Sequence, residues 1–528
     1  METETVILLM FVIASAVAIA ARRLHIPYTV ALVPVGLGLS ALQVLHPPQL
    51  TRDMLFLVFL PGLIFEAAFH IDFEDLWRDR VAVIALAIPG VMLSIVLTAS
   101  LLVLAGKEIH YLANIGWALA LVFGAAVAAT DPIAVVALFT ELGAPRRLTL
   151  LIEGESLLND GTSIVFFSLI LSLVMGATAT PGGLLVDFGR VVGGGLIVGI
   201  LVGLLAAVVL RQIDDAMVEL MLLIVTAYGS FLVAEQLGVS GVISTVAAGL
   251  ICGNYGARTA MSPSTRLAVL TFWDYLGFAL NSLVFLLMGF EIRIDTLLSA
   301  WPIIVVAYVA VTVARGIVIF GISGLLQLRH ARIPQPWSWI LVWGGLRGAL
   351  SMVLALSLPP QLPLRDLIVN MVFGVVLLSI LVQGLSMTLL ARRLGVIGGR
   401  EAMTTYETAR VRRQLVREAL AEIRRLRDGH YVEPQVLDTM EAEYRQRAAA
   451  AEVQLDRVEL DKGRLLNEEM AEVRRRLLLL ERKQVTEARQ RGVIGDAAFN
   501  QVLADIDARL LERDGGVDSR NDNNPHRD

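Results

Sequence analysis

Ala129-Thr130-Asp131-Pro132-Ile133-Ala134-Val135 lies inside an otherwise apolar run from about 113 to 140. A proline inside a helix removes one N–H and pushes aside the carbonyl four residues back, here that of Ala128. Asp131 adds a charge beside the break. A second interruption, Trp343-Gly344-Gly345-Leu346-Arg347-Gly348-Ala349-Leu350-Ser351, lies inside the run 336–358, where three glycines flank an arginine. Each interruption sits mid-run, so both are read as broken membrane helices rather than as loops between short ones.

Around these two breaks the chain reads as a polytopic membrane protein. Of its 528 residues 56% are hydrophobic and only 18% charged, against about 25% in soluble domains. A helix needs roughly 20 apolar residues to cross the hydrocarbon core. That length divides residues 1–395 into thirteen spans: 5–21, 28–45, 54–70, 80–104, 113–140, 148–175, 184–210, 216–237, 239–254, 269–291, 300–327, 336–358 and 365–391. The break at Leu237-Gly-Val-Ser240 is the shortest division. The broken helices are then the fifth and twelfth spans. An inverted repeat of spans 1–6 and 8–13, with the seventh as linker, brings them into correspondence. Interrupted helices in matching positions of two halves mark the substrate site of secondary transporters.

Basic residues in short loops set the orientation. Arg22, Arg23, Arg78, Arg80, Arg146, Arg147, Arg211, Arg258, Arg266, Arg329, Arg332, Arg392 and Arg393 fall on one side, and only Arg52, Lys107, Arg190, Arg293 and Arg365 on the other. The first side is expected to be cytoplasmic, with the N-terminus outside and the C-terminus inside. The first apolar run lacks a basic leader and a clear cleavage site, and is expected to be a retained span. A net charge of −5 indicates no nucleic-acid partner, and the single cysteine, Cys252, excludes an intrachain disulfide or a cysteine metal cluster. No His-Glu-x-x-His or Gly-x-Ser-x-Gly stretch supports an intramembrane enzyme, and no cofactor is expected.

The polar residues of the sixth span, Glu153-Gly-Glu155-Ser156-Leu-Leu-Asn159-Asp160, carry the chemistry. Ionisable groups at bilayer depth are costly and usually line an ion or proton path. Ser156 and Asp160 share one helical face, and Glu155 and Asn159 another about 100° away. Small hard cations take oxygen ligands. Asp160, Ser156, a freed carbonyl near Thr130 and Glu66 of the third span would supply them, unless Glu66 is only an end-of-helix glutamate. Half-helix ends carry partial charges, which Asp131 and Arg347 would offset. Glu155 pairs with Arg315 or with Arg347.

Together, Phe65-Glu66-Ala67, Thr130-Asp131-Pro132, Gly154-Glu155-Ser156 with Asn159-Asp160, Arg315-Gly316 and Gly344-Gly-Leu-Arg347-Gly-Ala resemble the cation:proton antiporter-1 family, the sodium/proton exchangers. These motifs run in order through the whole membrane domain. The resemblance implies an all-α fold of thirteen membrane helices with an inverted repeat and two crossed discontinuous helices, assembled as a homodimer. It implies that Asp160 binds cation and proton, with Asn159 beside it and with Ser156, Glu66 and the Thr130 carbonyl completing the shell. Asp131 would act through water or by balancing helix ends, and Glu155 with the arginines would stabilise the site.

Burial disfavours the charged form of a carboxylate, so a proton and a monovalent cation would compete for Asp160. Having Asn159 rather than a second aspartate leaves one titratable charge there, and one-for-one electroneutral exchange follows. Sodium, with lithium, is the expected cation. A potassium/proton exchanger of the same fold is the alternative, because oxygen ligands alone do not fix the ion. The charged segment 396–514 reads as three helices, about 400–427, 436–489 and 496–513. It carries a weak repeat around Gly429 and Gly492, and 515–528 reads as disordered. This segment would pack and dimerise, or regulate the transporter through a ligand or protein partner.

Overall fold

The computed structural model describes residues 3–24, 26–42, 51–108, 115–176, 180–213, 215–256, 261, 263–327, 333–397, 399–428, 433–457, 477–478, 480–489 and 493–511. The chain divides into two compact units, Met1–Ile397 and Gly398–Asp528. The described elements are all helical, with no strand among them.

In the first unit, α1 (Thr3–Leu24), α2 (Tyr28–Ala41), α3 (Arg52–His70), the short α4 (Phe73–Arg78) and α5 (Arg80–Lys107) come first. The fifth span is α6 (Trp117–Ala126) and α7 (Ile133–Leu142), separated by non-helical backbone. Next come α8 (Arg146–Val174), α9 (Pro181–Leu210), α10 (Ala216–Gln236), α11 (Gly241–Gly256), α12 (Pro263–Glu291), the short α13 (Ile294–Ser299) and α14 (Trp301–Gln327). The twelfth span is α15 (Gln335–Trp343) and α16 (Ala349–Leu356), and α17 (Arg365–Arg393) closes the unit. The sequence-derived spans thus map one for one onto helices or broken helix pairs. Nine described helices are long and apolar enough to cross a bilayer alone.

Both breaks have a local cause. Pro132 and Asp131 cannot continue α6, so the backbone from Ala128 to Pro132 leaves the helix before Ile133 restarts it. Gly345 and Gly348 are forced by proximity rather than by dihedral angle. A Cβ on Gly345 would lie 2.6 Å from Cδ and Cζ of Arg315, and one on Gly348 2.6 and 2.9 Å from Cβ and Cγ of Asp131. The two breaks cross there, joined where the Asp131 amide donates to the Leu346 carbonyl at 2.7 Å.

The surrounding helices hold this crossing. α6 packs on α5 and α8, α14 on α5 and α17, and α12 on α2 and α3. Wide π turns interrupt several of them: Leu86–Gly90, which contains Pro89, faces α8, and Ser379–Gly384 faces the second break. The first leaves the Ala87 carbonyl to the Thr162 hydroxyl at 2.8 Å, and the second presents the Ser379 hydroxyl to the Arg347 amide at 3.1 Å. The outer faces are strongly apolar: Leu8, Ile19, Leu185, Leu205 and Met221 are each at least 60% exposed. Lipid tails solvate such faces, whereas backbone polar groups at that depth must be satisfied by protein.

The second unit contains α18 (Gly399–Asp428) packed on α19 (Pro434–Arg457), and α20 (Asp496–Leu511). Val416, Ile423 and Leu437 are buried, and Arg427 joins α18 to Asp438 and Glu441 at 2.7 and 2.8 Å. Residues 429–432 and 490–492 of the two turns of the weak repeat, most of the middle of the second expected helix and the segment 515–528 lie outside the described residues.

Candidate functional site

α8 runs past the crossing and presents a different chemistry on each face. Ser156 and Asp160, with Glu153 one turn before Ser156, line a cavity of about 490 Å³. Thr130 and Asp131 from the fifth span border the same cavity, as do Glu66 and His70 from α3, Tyr28 from α2 and Asp274 and Asn281 from α12. Four of the expected ligand residues, Asp160, Ser156, Thr130 and Glu66, therefore meet around one space. The Ser156 hydroxyl donates to the Thr130 carbonyl. Rotating that one proton away would leave two oxygens side by side. Asp274, with its side chain 67% exposed, and His70, at 32%, mark the mouth.

The other face of α8 is structural in its contacts. Glu155 and Asn159 do not line the cavity. The Glu155 carboxylate accepts from Arg315 Nη1 at 2.8 Å and Nη2 at 3.1 Å, and both residues are buried. Arg315 also donates from Nε and Nη2 to the Leu341 carbonyl, at 3.0 and 2.9 Å, near the C-terminal end of α15. The choice between two arginines left open by sequence is thus settled by geometry in favour of Arg315. Asn159 is fully buried and donates from Nδ2 to the Ala128 carbonyl at 3.2 Å and to the Thr130 hydroxyl at 3.1 Å.

The half-helix ends have oppositely charged neighbours. Arg347 Nη1 donates to the Ala128 and Ala129 carbonyls at 2.8 and 3.2 Å, beyond the C-terminal end of α6. Asp131 Oδ1 accepts from the Ile133 amide at 3.0 Å, at the N-terminus of α7, and its carboxylate also lies against Gly348, which precedes α16. Positive charge is favourable at a helix C-terminus and negative charge at an N-terminus. Three carbonyls of the first break, those of Ala128, Ala129 and Thr130, have side-chain donors, from Arg347, Asn159 and Ser156.

Several cavity residues carried no role in the sequence reading. Glu153 lies seven residues before Asp160, two helical turns along one face. Asp274 and Asn281 are likewise seven apart on α12. That spacing of polar residues in an apolar helix was the available signal. For Tyr28 and His70, at helix ends, no such spacing exists.

A transmembrane sodium/hydrogen exchanger family model matches residues 7–393. The chain belongs to that family. Among the exchanger's relatives, the Na(+)/H(+) antiporter ApNhaP of Aphanothece halophytica is 40% identical over 76% of this chain and 75% of its own length. The Na(+)/H(+) antiporter NhaS2 of a Synechocystis strain is 33% identical over 96% of this chain and 93% of its own, so that likeness extends through the C-terminal unit. The solved sodium proton antiporter MjNhaP1 of Methanocaldococcus jannaschii, at pH 8, shares the fold. It superposes with a TM-score of 0.60 at 21% identity, over 74% of this exchanger and 98% of that chain.

Proposed function

We propose that this exchanger is a secondary active antiporter that trades a monovalent cation for a proton across the cytoplasmic membrane. Sodium is the principal cation and lithium is also accepted, with a role in sodium and pH homeostasis. The observation that carries this reading is the placement of Asp160. It lines the cavity beside the helix crossing, within one space shared with Ser156, Thr130 and Glu66. A carboxylate with hydroxyl, carbonyl and further carboxylate oxygens around it suits a small hard cation and equally a proton, and the two compete for it.

Exchange becomes obligatory if the protein changes sides only when Asp160 is neutralised by one ligand or the other. Alternating access then comes from one helical bundle rocking against a homodimeric scaffold. With Asn159 uncharged, one proton is exchanged for one cation and the cycle is electroneutral. The arginine-rich loops support a cytoplasmic C-terminal unit, whose helices serve dimerisation or regulation by a ligand or protein. Lipid is the other partner.

The test is pH-gradient dissipation in proteoliposomes on addition of sodium, lithium and potassium in turn. Wild-type protein responds to sodium and lithium, and Asp160→Asn responds to none. Cation-driven proton movement in Asp160→Asn would sink the competition mechanism. A response to potassium alone would favour the potassium exchanger.

A further inference from the structure

The mouth of the cavity carries a cluster that ion–proton competition at Asp160 does not use. His70, in the last turn of α3, places Nδ1 2.9 Å from the backbone carbonyl of Glu66. A carbonyl only accepts, so Nδ1 carries the hydrogen in that bond. In the neutral imidazole the lone pair is then on Nε2, which lies 3.1 Å from Asp274 Oδ1. Two acceptors facing each other at that distance repel unless a cation lies between them. The Glu66 carboxylate lies near the other ring nitrogen, its Oε1 3.6 Å from Nδ1. One ligand atom from each of Glu66, His70 and Asp274 lies within 4.8 Å of the others.

We propose that His70, Asp274 and Glu66 form a binding site for a borderline divalent transition metal, Zn2+ above all, whose occupancy blocks the cavity mouth. Three features point to that class of ion. A histidine whose second ring N–H is held by a backbone carbonyl has the tautomer and orientation that metal-ligating histidines adopt. Two ligands of a tetrahedral Zn2+ with bonds of about 2.0–2.1 Å stand about 3.3 Å apart, close to the separation of Nε2 and Oδ1. A set of one imidazole and two carboxylates also balances a double charge. A nitrogen ligand favours Zn2+ over hard cations such as sodium or magnesium. Glu153, which lines the same cavity, or water completes the coordination.

Glu66 links this site to transport. A metal held there occupies a carboxylate assigned above to the transported cation and stands in its path. Metal and sodium therefore compete. The blocking effect rests on the exchange reading; the metal affinity does not.

The test uses full-length protein with any affinity tag removed. Zinc chloride is titrated calorimetrically into detergent-solubilised wild type, His70→Ala and Asp274→Asn, and the same proteins are assayed for exchange in liposomes with and without Zn2+. Wild type should bind one Zn2+ per chain, and each variant should bind it at least about tenfold more weakly. Zn2+ should slow wild-type exchange, and more sodium should relieve the block. Asp274 is exposed enough that asparagine there leaves folding intact. Absence of Zn2+ binding by wild type, or wild-type affinity retained in His70→Ala and Asp274→Asn, overturns the site. Tight Zn2+ binding with unslowed exchange overturns the block. A wild type that exchanges no cation refutes the transport reading and leaves the titration to decide the metal site.

Discussion

At the scale of single residues, the buried charges near the crossing have separate assignments. Glu155 and Arg315 neutralise each other at 2.8 and 3.1 Å. Arg347 and Asp131 each lie beside the helix end of opposite partial charge, and Asp160 borders the cavity. This division predicts opposite consequences for two mutations five residues apart on one helix. Glu155→Ala leaves the Arg315 guanidinium buried without its carboxylate, and breaking such a pair costs about 3–5 kcal/mol. Its melting temperature in detergent should fall well below that of wild type, and Glu155→Leu combined with Arg315→Met should recover much of the loss. Asp160→Asn should melt at or near the wild-type temperature while losing exchange. Equal thermal stability of Glu155→Ala and wild type would contradict a stabilising role for the pair.

At the scale of elements, what was legible in sequence follows from how strongly each constraint acts locally. The bilayer demands long apolar runs, so the spans could be delimited from composition. Proline and glycine act on their own backbone, so both breaks could be placed to within a few residues. Helical period fixed which residues of α8 share a face, and Ser156 and Asp160 lie on the cavity while Glu155 and Asn159 do not. Period does not say which neighbouring helix stands opposite a face, so the partner of Glu155 stayed open between two arginines. The same limit hid Asp274 and His70, which meet only because α12 packs against α3. The crossing itself depends on contact with no side chain at Gly348. Gly348→Ala would set a Cβ 2.6 Å from Cβ of Asp131. Overpacking typically costs about 1–3 kcal/mol, and here it pushes Asp131 from the helix ends it faces. Exchange by Gly348→Ala should drop by about fivefold to about 150-fold if that whole cost falls on the exchange cycle, since about 1.4 kcal/mol corresponds to a factor of ten. Gly324→Ala, where a Cβ meets nothing within 4 Å, is the control and should exchange normally. Equal activity in the two variants would show that the crossing tolerates spreading.

At the scale of the whole molecule, the proposed stoichiometry turns the fixed charges into a prediction about membrane voltage. Glu155, Arg315, Arg347 and Asp131 are held by bonds to backbone or to one another, so they belong to the protein on both strokes of the cycle. In the proposed cycle only the occupant of Asp160 changes: a cation in one direction, a proton in the other. Each neutralises the carboxylate once, so the two strokes carry the same charge and no net charge crosses per cycle. A second exchanged proton would change this sharply. Moving one elementary charge across 100 mV is worth about 2.3 kcal/mol, which at about 1.36 kcal/mol per factor of ten shifts the equilibrium sodium gradient about fiftyfold. In proteoliposomes whose voltage is clamped with valinomycin and potassium, the steady sodium gradient should depend on the pH difference alone. It should be the same at zero and at about 100 mV of either sign, on that same charge-transfer scale. A fiftyfold displacement would mean two protons per sodium and require a second titrating group in the cavity. Glu153 and Glu66, which border the same space as Asp160, would then be the residues to neutralise next.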